Sequence, residues 1–286
     1  MNKNVKTFLA CGAEYAQAEA VLFGAPFDGT VSYRPGSRFA PAAVRSESEG
    51  LETYSPYCGE DLTDRLLFDG GDLELPFGSP EKAVAEIERF ALKLTNDGKK
   101  FLMIGGEHLA TLGAVKAVLH RYPDLHVIHF DAHTDLRDDY LGEKLSHATV
   151  MRRIWDLTGD GRIHQFGIRS GERHEFEFAE AHTEIRKFDL NGFEETVGKL
   201  RGKPVYITID ADVLDPSVFP GTGTPEPGGA AFKDLLNAVL QFSQLNVIGC
   251  DLVELSPHYD LSGCSTAVIC KLAREVLLQI TKRKRS

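Results

Sequence analysis

Eight short apolar runs, each of about strand length, recur along the chain: AVLFGAP, RLLFDGG, KFLMIGG, LHVIHFDAH, RIHQFGIRS, EIRKFD, PVYITID and NVIGCDLVE. They are near-continuous in apolar residues rather than alternating. A strand needs that pattern when both of its faces are covered, as in a parallel sheet. Between most of the runs, apolar residues return at three- and four-residue spacing, the period of a helix. The clearest case is Pro80–Asn96, where Ala83, Val84, Ile87, Phe90, Ala91 and Leu94 share one face. Ser79 stands where an N-cap belongs, Pro80 at the first helical position and Gly98 just beyond the end. Further helices are expected over 109–120, 147–157, 230–243 and 265–283. This alternation predicts an α/β fold: a single three-layer domain over residues 1–286, with a mostly parallel sheet of roughly eight strands and helices on both faces. The tail TKRKRS reads as a solvated helix end, where its cations suit the negative pole of the helix.

Composition narrows the class of partner. The net charge is -10, from 32 basic and 42 acidic residues. Phosphate backbones call for a basic face, so nucleic acid is not an expected partner; an acidic protein suits a cationic ligand. Five cysteines, an odd number with no CxxC pair, fit a reduced chain rather than a disulfide framework. No apolar run approaches the ~20 residues of a membrane helix, and FLACGA is too short for a signal peptide. A cytoplasmic protein with no membrane partner is expected.

In open parallel sheets, functional groups gather beyond the carboxyl ends of the strands. Four runs here end in ionisable residues. KFLMIGGEH supplies Glu107 and His108, VIHFDAHTD supplies Asp131, His133 and Asp135, YITIDAD supplies Asp210 and Asp212, and IGCDLVE supplies Asp251 and Glu254. One such acid is most simply a cap or turn residue. Four acidic clusters at one sheet edge would repel each other unless a cation offsets them. The four aspartates Asp131, Asp135, Asp210 and Asp212 balance two divalent ions, with His108 and His133 adding neutral imidazoles. An oxygen-rich set without thiolate favours Mn over structural Zn, and two imidazoles make Mg less suitable. Same-side residues on a strand are about 6.6 Å apart, which puts Asp131 and Asp135 roughly 13 Å apart if the chain stays extended. To share a metal, the chain must turn near His133–Asp135. Asp131 or Asp210 could bridge two ions.

GGEH, DAHTD, SHATVMRR and IDADVLDPSVFPGTGTPEPGG, in this order across almost the whole chain, resemble the ureohydrolases, the family of arginase and agmatinase. FGAPFDGTVSYRPGSRFAPAAVR and FGIRSG are most similar to the agmatinase branch. After DAHTD this chain reads LRDDYLGEKLSHAT, where an arginase would carry Asn and Ser to hold an amino acid's α-groups. The resemblance implies an arginase-like fold and two Mn2+ ions per subunit. His108, Asp131, Asp135 and Asp210 would hold one ion; Asp131, His133, Asp210 and Asp212 would hold the other. Glu107 and Ala211 depart from the common family residues but are not implied ligands. The resemblance also implies catalytic roles for Asp135, for His147 as a proton shuttle and for Glu254 as the acid that orients a guanidinium. His147 would shuttle protons with a pKa near 6.5. The expected substrate is a small cationic guanidino compound, agmatine before guanidinobutyrate or arginine, cleaved to urea and an amine. Asp138, Asp139 and Glu172, in the stretches 136–146 and 171–178 read as loops, offer anions for a distal ammonium. Trimers or hexamers are the implied homo-oligomers. A non-catalytic binding protein would be expected to have lost ligands, and none is missing. Phosphate-ester hydrolysis would need Arg or Lys beside the metals, and no motif supplies them.

Overall fold

A computed structural model describes residues 6–282 of the chain. Its strands are β1 (Ala20–Ala25), β2 (Tyr54–Ser55), β3 (Glu60–Asp61), β4 (Leu67–Asp72), β5 (Lys100–Gly105), β6 (His126–Phe130), β7 (Ile163–Ile168), β8 (Glu184–Lys187), β9 (Pro204–Asp210) and β10 (Asn246–Val253). Eight of them form one sheet in the order β4-β1-β5-β10-β9-β6-β7-β8, with every pairing parallel. These eight are the apolar runs read from the sequence. The short β2–β3 pair is antiparallel and stands apart.

Side chains alternate across the sheet into two cores. On β5, Leu102 and Ile104 face one core and Phe101 and Met103 the other; on β6, Ile128 and Phe130 oppose Val127. The first core is covered by α1 (Ala40–Ser48), α6 (Phe193–Lys199), α7 (Phe232–Val239) and α8 (Cys264–Ile280). The second is covered by α2 (Pro80–Asn96), α3 (Ala110–Leu119), α4 (Val150–Thr158) and α5 (Arg173–His182). The result is a single α/β domain of three layers.

Helix α2 begins and ends as the sequence predicts. The Ser79 side chain accepts from Lys82 N, and Gly98 takes a left-handed φ of 70°. Three helices escape the periodic reading. α1 buries Arg45 against Asp69 and Asp72. α6 has only seven residues. α5 (RHEFEFAEAH) fully buries just Glu175 and Ala179, and it replaces most of the loop expected over 171–178. The helix expected to 283 stops at Ile280, where Thr281 hydrogen-bonds back to Leu277 O and Lys282 N turns to the Glu19 carboxylate. The remainder of the basic tail, 283–286, lies outside the described residues. All five cysteines are free. No helix among the described residues is long and apolar enough to cross a membrane.

Candidate metal centre

The four central strands, β5, β10, β9 and β6, end side by side, and their carboxyl ends carry the predicted residues. His108 follows β5 in the turn that opens α3, Asp131 follows β6, Asp210 ends β9 and Glu254 follows β10. His108 Nδ1 lies 3.1 Å from Asp131 Oδ2, 3.2 Å from Asp135 Oδ2 and 3.2 Å from Asp210 Oδ2. His133 Nδ1 lies 3.1 Å from Asp212 Oδ2 and 3.4 Å from Asp131 Oδ1. Asp131 therefore presents one oxygen to each imidazole, the arrangement a bridging carboxylate needs. All six residues named as ligands converge on one spot.

Asp135 reaches that spot because the chain folds back. His133 forms a parallel bridge with Ser170 beside β7, and Asp135 adopts φ 52°, a left-handed conformation that L-residues avoid. Glu175 of α5 clamps the turn on both sides. Its Oε1 accepts from Thr134 Oγ1 (2.6 Å) and Leu136 N (3.1 Å), and its Oε2 from Glu172 N (2.8 Å).

The donor set fits a divalent cation on two counts. His108 Nδ1 is buried and has no hydrogen-bond partner among the described residues, although three carboxylates surround it. Burial, then the neighbouring Asp131 charge, pushes the Asp135 carboxyl up to about 7, and burial with the Asp212 charge pushes Asp210 well above the carboxylate range. Such acids ionise together only when positive charge is added.

His129 also lies near Asp131, and His108, His129 and Asp131 bring ligand atoms within 4.8 Å of one another. Both ring nitrogens of His129 are already engaged. Gln165 Nε2 donates to Nδ1 (3.0 Å), so Nε2 carries the proton it donates to Asp131 Oδ2 (2.7 Å). Gln165 is pinned by Thr134 O and by the Thr183 hydroxyl. His129 thus orients Asp131 and has no ring nitrogen left for a metal.

A cavity of about 310 Å³ opens on the cluster, lined in part by Ser32, Asp135, Arg137, Tyr140, His147, Glu172 and Glu254. Glu254 is buried at φ 65°, with Oε1 accepting from His108 N at 2.8 Å. Burial and the Glu107 charge raise its pKa well above the usual value. His147 opens a 3-10 turn over His147–Thr149; its N donates to Thr30 Oγ1, and its Nε2 is 3.2 Å from Ser32 Oγ. Burial lowers its pKa to about 4, where the sequence alone suggested a value near 6.5.

Three expectations need correction. Asp138 pairs with Arg153 at 2.8 Å, and Asp139 accepts from Gly142 N; neither lines the cavity, and of the three candidate anions only Glu172 does. Asp251 does not point at the strand end but lies beneath the site, bonded to Tyr206, Thr208 and Thr111. Glu175, Arg137 and Thr208 escaped the motif reading. One signal for the support was present: in YITID and HFD, polar residues continue back from the terminal Asp at every second position, on the same face of the strand.

Parallel strands that deliver carboxylates and imidazoles to one carboxyl edge define an arginase-like α/β protein. The arginase family profile matches residues 18–279. The agmatinase of Bacillus subtilis is 48% identical over 281 residues, 97% of each chain. The human mitochondrial guanidino acid hydrolase is 34% identical, covering 92% of this chain and 79% of its own. Among solved structures, the agmatine ureohydrolase of Thermoplasma volcanium superposes with a TM-score of 0.89 at 36% identity, over 97% of this chain and 94% of that one. The chain belongs to the arginase family.

Proposed function

We propose that this protein is an agmatinase, a hydrolase that splits agmatine into urea and putrescine and carries two Mn2+ ions per subunit. The observation that carries the metal-dependent reading is His108 Nδ1, buried beside three carboxylates yet hydrogen-bonded to none of the described residues. His108, Asp131, Asp135 and Asp210 would hold one ion, and Asp131, His133, Asp210 and Asp212 the other. When bound, such ions supply Lewis acidity that brings the pKa of water from 15.7 to about 7.

The chain's own groups do the rest. Glu254, fixed by His108 N, pairs with the guanidinium N–H groups, and the arriving cation offsets the burial that raises its pKa. Asp135 faces the cavity, where it can take the proton of the attacking water and pass it to the departing amine. His147, which lines the cavity with its Nε2 3.2 Å from Ser32 Oγ, would exchange protons with solvent through that hydroxyl.

The rim favours a substrate with a distal cation. Arg137 is the cation there, its Nη1 3.2 Å from Glu172 Oε1 and its Nε 3.4 Å from Glu175 Oε2. One positive and two negative formal charges leave this trio at -1, which suits the ammonium of agmatine better than the carboxylate of 4-guanidinobutyrate. The similarity to the human guanidino acid hydrolase and the presence of Arg137 keep guanidinobutyrate as the second reading.

Urea release from agmatine, arginine and 4-guanidinobutyrate tests the substrate: agmatine is expected to be fastest, and a preference for either other compound overturns the choice. Asp131→Asn and Asp210→Asn are expected to lose both Mn and turnover; full metal content and wild-type rates in both would refute the metal assignment. A cytoplasmic homo-oligomer, trimer or hexamer, is the expected assembly, read by sedimentation of the purified protein.

A further inference from the structure

Asp251 is a buried acid that the proposed chemistry does not use. It is wholly buried, as are its partners Tyr206, Thr208 and Thr111. An ionisable group in such a place costs several kcal/mol unless its contacts compensate. Among the described residues, no Lys or Arg side chain hydrogen-bonds to it. Its partners are three hydroxyls: Tyr206 Oη donates to Oδ2 at 2.6 Å, Thr111 Oγ1 to Oδ2 at 2.9 Å and Thr208 Oγ1 to Oδ1 at 2.6 Å. Thr208 and Asp251 are directly paired in the register of β9 and β10. Tyr206 lies two residues before Thr208, on the same face of β9.

These donations carry a direction. A hydroxyl has one hydrogen, and Thr208 spends its own on Asp251. Toward His108 Nε2, 2.9 Å away, Thr208 can then only accept. His108 Nε2 must carry a proton, whatever the charge on the ring. The lone pair of the neutral ring therefore sits on Nδ1, the atom that faces Asp131, Asp135 and Asp210. With the other tautomer, Nδ1–H would point into the carboxylate cluster and no lone pair would be left for a cation.

We infer that Asp251, acting through the Thr208 hydroxyl, is a positioning residue that locks His108 in the tautomer and ring orientation able to ligate metal. The inference rests on the metal-dependent reading above and gives Asp251 and Thr208 a supporting role beneath the proposed ligands. It also places the effect: the ion held by His108 depends on the relay, whereas the ion held by His133 and Asp212 does not.

The test is Mn2+ titration of the metal-free protein by calorimetry, with the melting temperature of the same metal-free samples recorded alongside. Thr208→Val keeps the side-chain shape and removes the hydroxyl. It is expected to weaken one of the two Mn sites about 10–100-fold, the usual cost of losing the partner of a ligating imidazole, with the other changed less than about three-fold. Thr208→Ser should restore the affinity, because the hydroxyl returns. Tyr206→Phe strips Asp251 of a donor outside the relay; it should lower the metal-free melting temperature yet leave both affinities within about three-fold of wild type. If Thr208→Val fails to fold, Asp251→Asn is measured in its place and is expected to weaken the same site.

Wild-type Mn affinity in Thr208→Val overturns the inference. So does an equal loss of affinity in Tyr206→Phe, which would mark Asp251 as a strut of the fold. A wild-type protein that binds no Mn removes the metal reading and the relay with it. An intact affinity pattern without agmatine turnover would remove only the substrate assignment.

Discussion

Glu175 holds the turn that makes the site possible, and removing it should cost both stability and metal binding. Its carboxylate is 2% exposed and accepts from Thr134 Oγ1, Leu136 N and Glu172 N. The first two donors flank Asp135 and are themselves buried. In Glu175→Ala both buried groups lose their partner, while Glu172, an exposed residue, recovers water. Two charge-assisted bonds at about 1.5–3 kcal/mol each set the loss at about 3–6 kcal/mol. What the clamp opposes is the left-handed Asp135, whose backbone costs about 1–2 kcal/mol. Freed of the clamp, the turn relaxes and Asp135 leaves its place beside His108. Misplacing a reacting group by about 1 Å costs on the order of 100-fold in rate, so turnover should fall by at least that much. Glu175→Gln keeps Oε1 as acceptor but turns an amide N–H toward Glu172 N, and should lose only about 1–2 kcal/mol. Denaturant unfolding of the metal-free variants, with urea release by the metal-loaded ones, gives both readouts. Glu175→Ala within about 1 kcal/mol of wild type and fully active would refute the clamp.

Three further outcomes follow from single sites. His147→Asn should lower turnover while metal content stays near wild type, and an unchanged rate would remove the shuttle role. A Cβ on Gly106 would lie 1.7 Å from Phe27 O, a backbone atom with no freedom to yield. Gly106→Ala should therefore destabilise by at least about 4 kcal/mol or prevent folding, and a thermal melt like that of wild type would contradict this. At the other end of the sheet, Arg162 Nη1 donates to His126 Nε2, so His126 Nδ1 donates to His164 Nε2 (3.1 Å each). Burial, with the His164, Lys203 and Arg162 charges, lowers the His126 pKa to about 4. A folded-state pKa below the unfolded value means that the unfolded chain takes up the proton first. The stability from this pair is thus complete above pH ~6.5 and is lost as pH falls toward 4. His126→Gln should flatten that acid limb in denaturation measured from pH 4 to 8; an unaltered limb would place its origin elsewhere.

What could be read from the sequence divides along a physical line. The inner strands of the main sheet were legible because they are buried on both faces, whereas the edge strand β8 is only half-buried, and continuous apolar runs of that length have few other uses in a globular chain. The acids at their ends were legible because they stand out against those runs. α5 was not, since RHEFEFAEAH turns only Glu175 and Ala179 fully inward and so carries no apolar period. The polar support under the site was hidden for a different reason. Thr208 and Asp251 are 43 residues apart and meet only through the β9–β10 register, while Gln165 reaches His129 across β6 and β7. Each looks like an isolated polar residue until strand order is known.

Asp135 lies between these cases. Strand spacing alone required it to fold back, since roughly 13 Å cannot be spanned by one ion. The device that folds it, a left-handed residue gripped by a carboxylate 40 positions later, belongs to a helix the sequence did not announce. The demand was local and its solution was tertiary. Substitutions at Glu175 should therefore damage the metal site although that residue touches none of the predicted ligands through its hydrogen bonds, and a search confined to metal-binding motifs would pass it over.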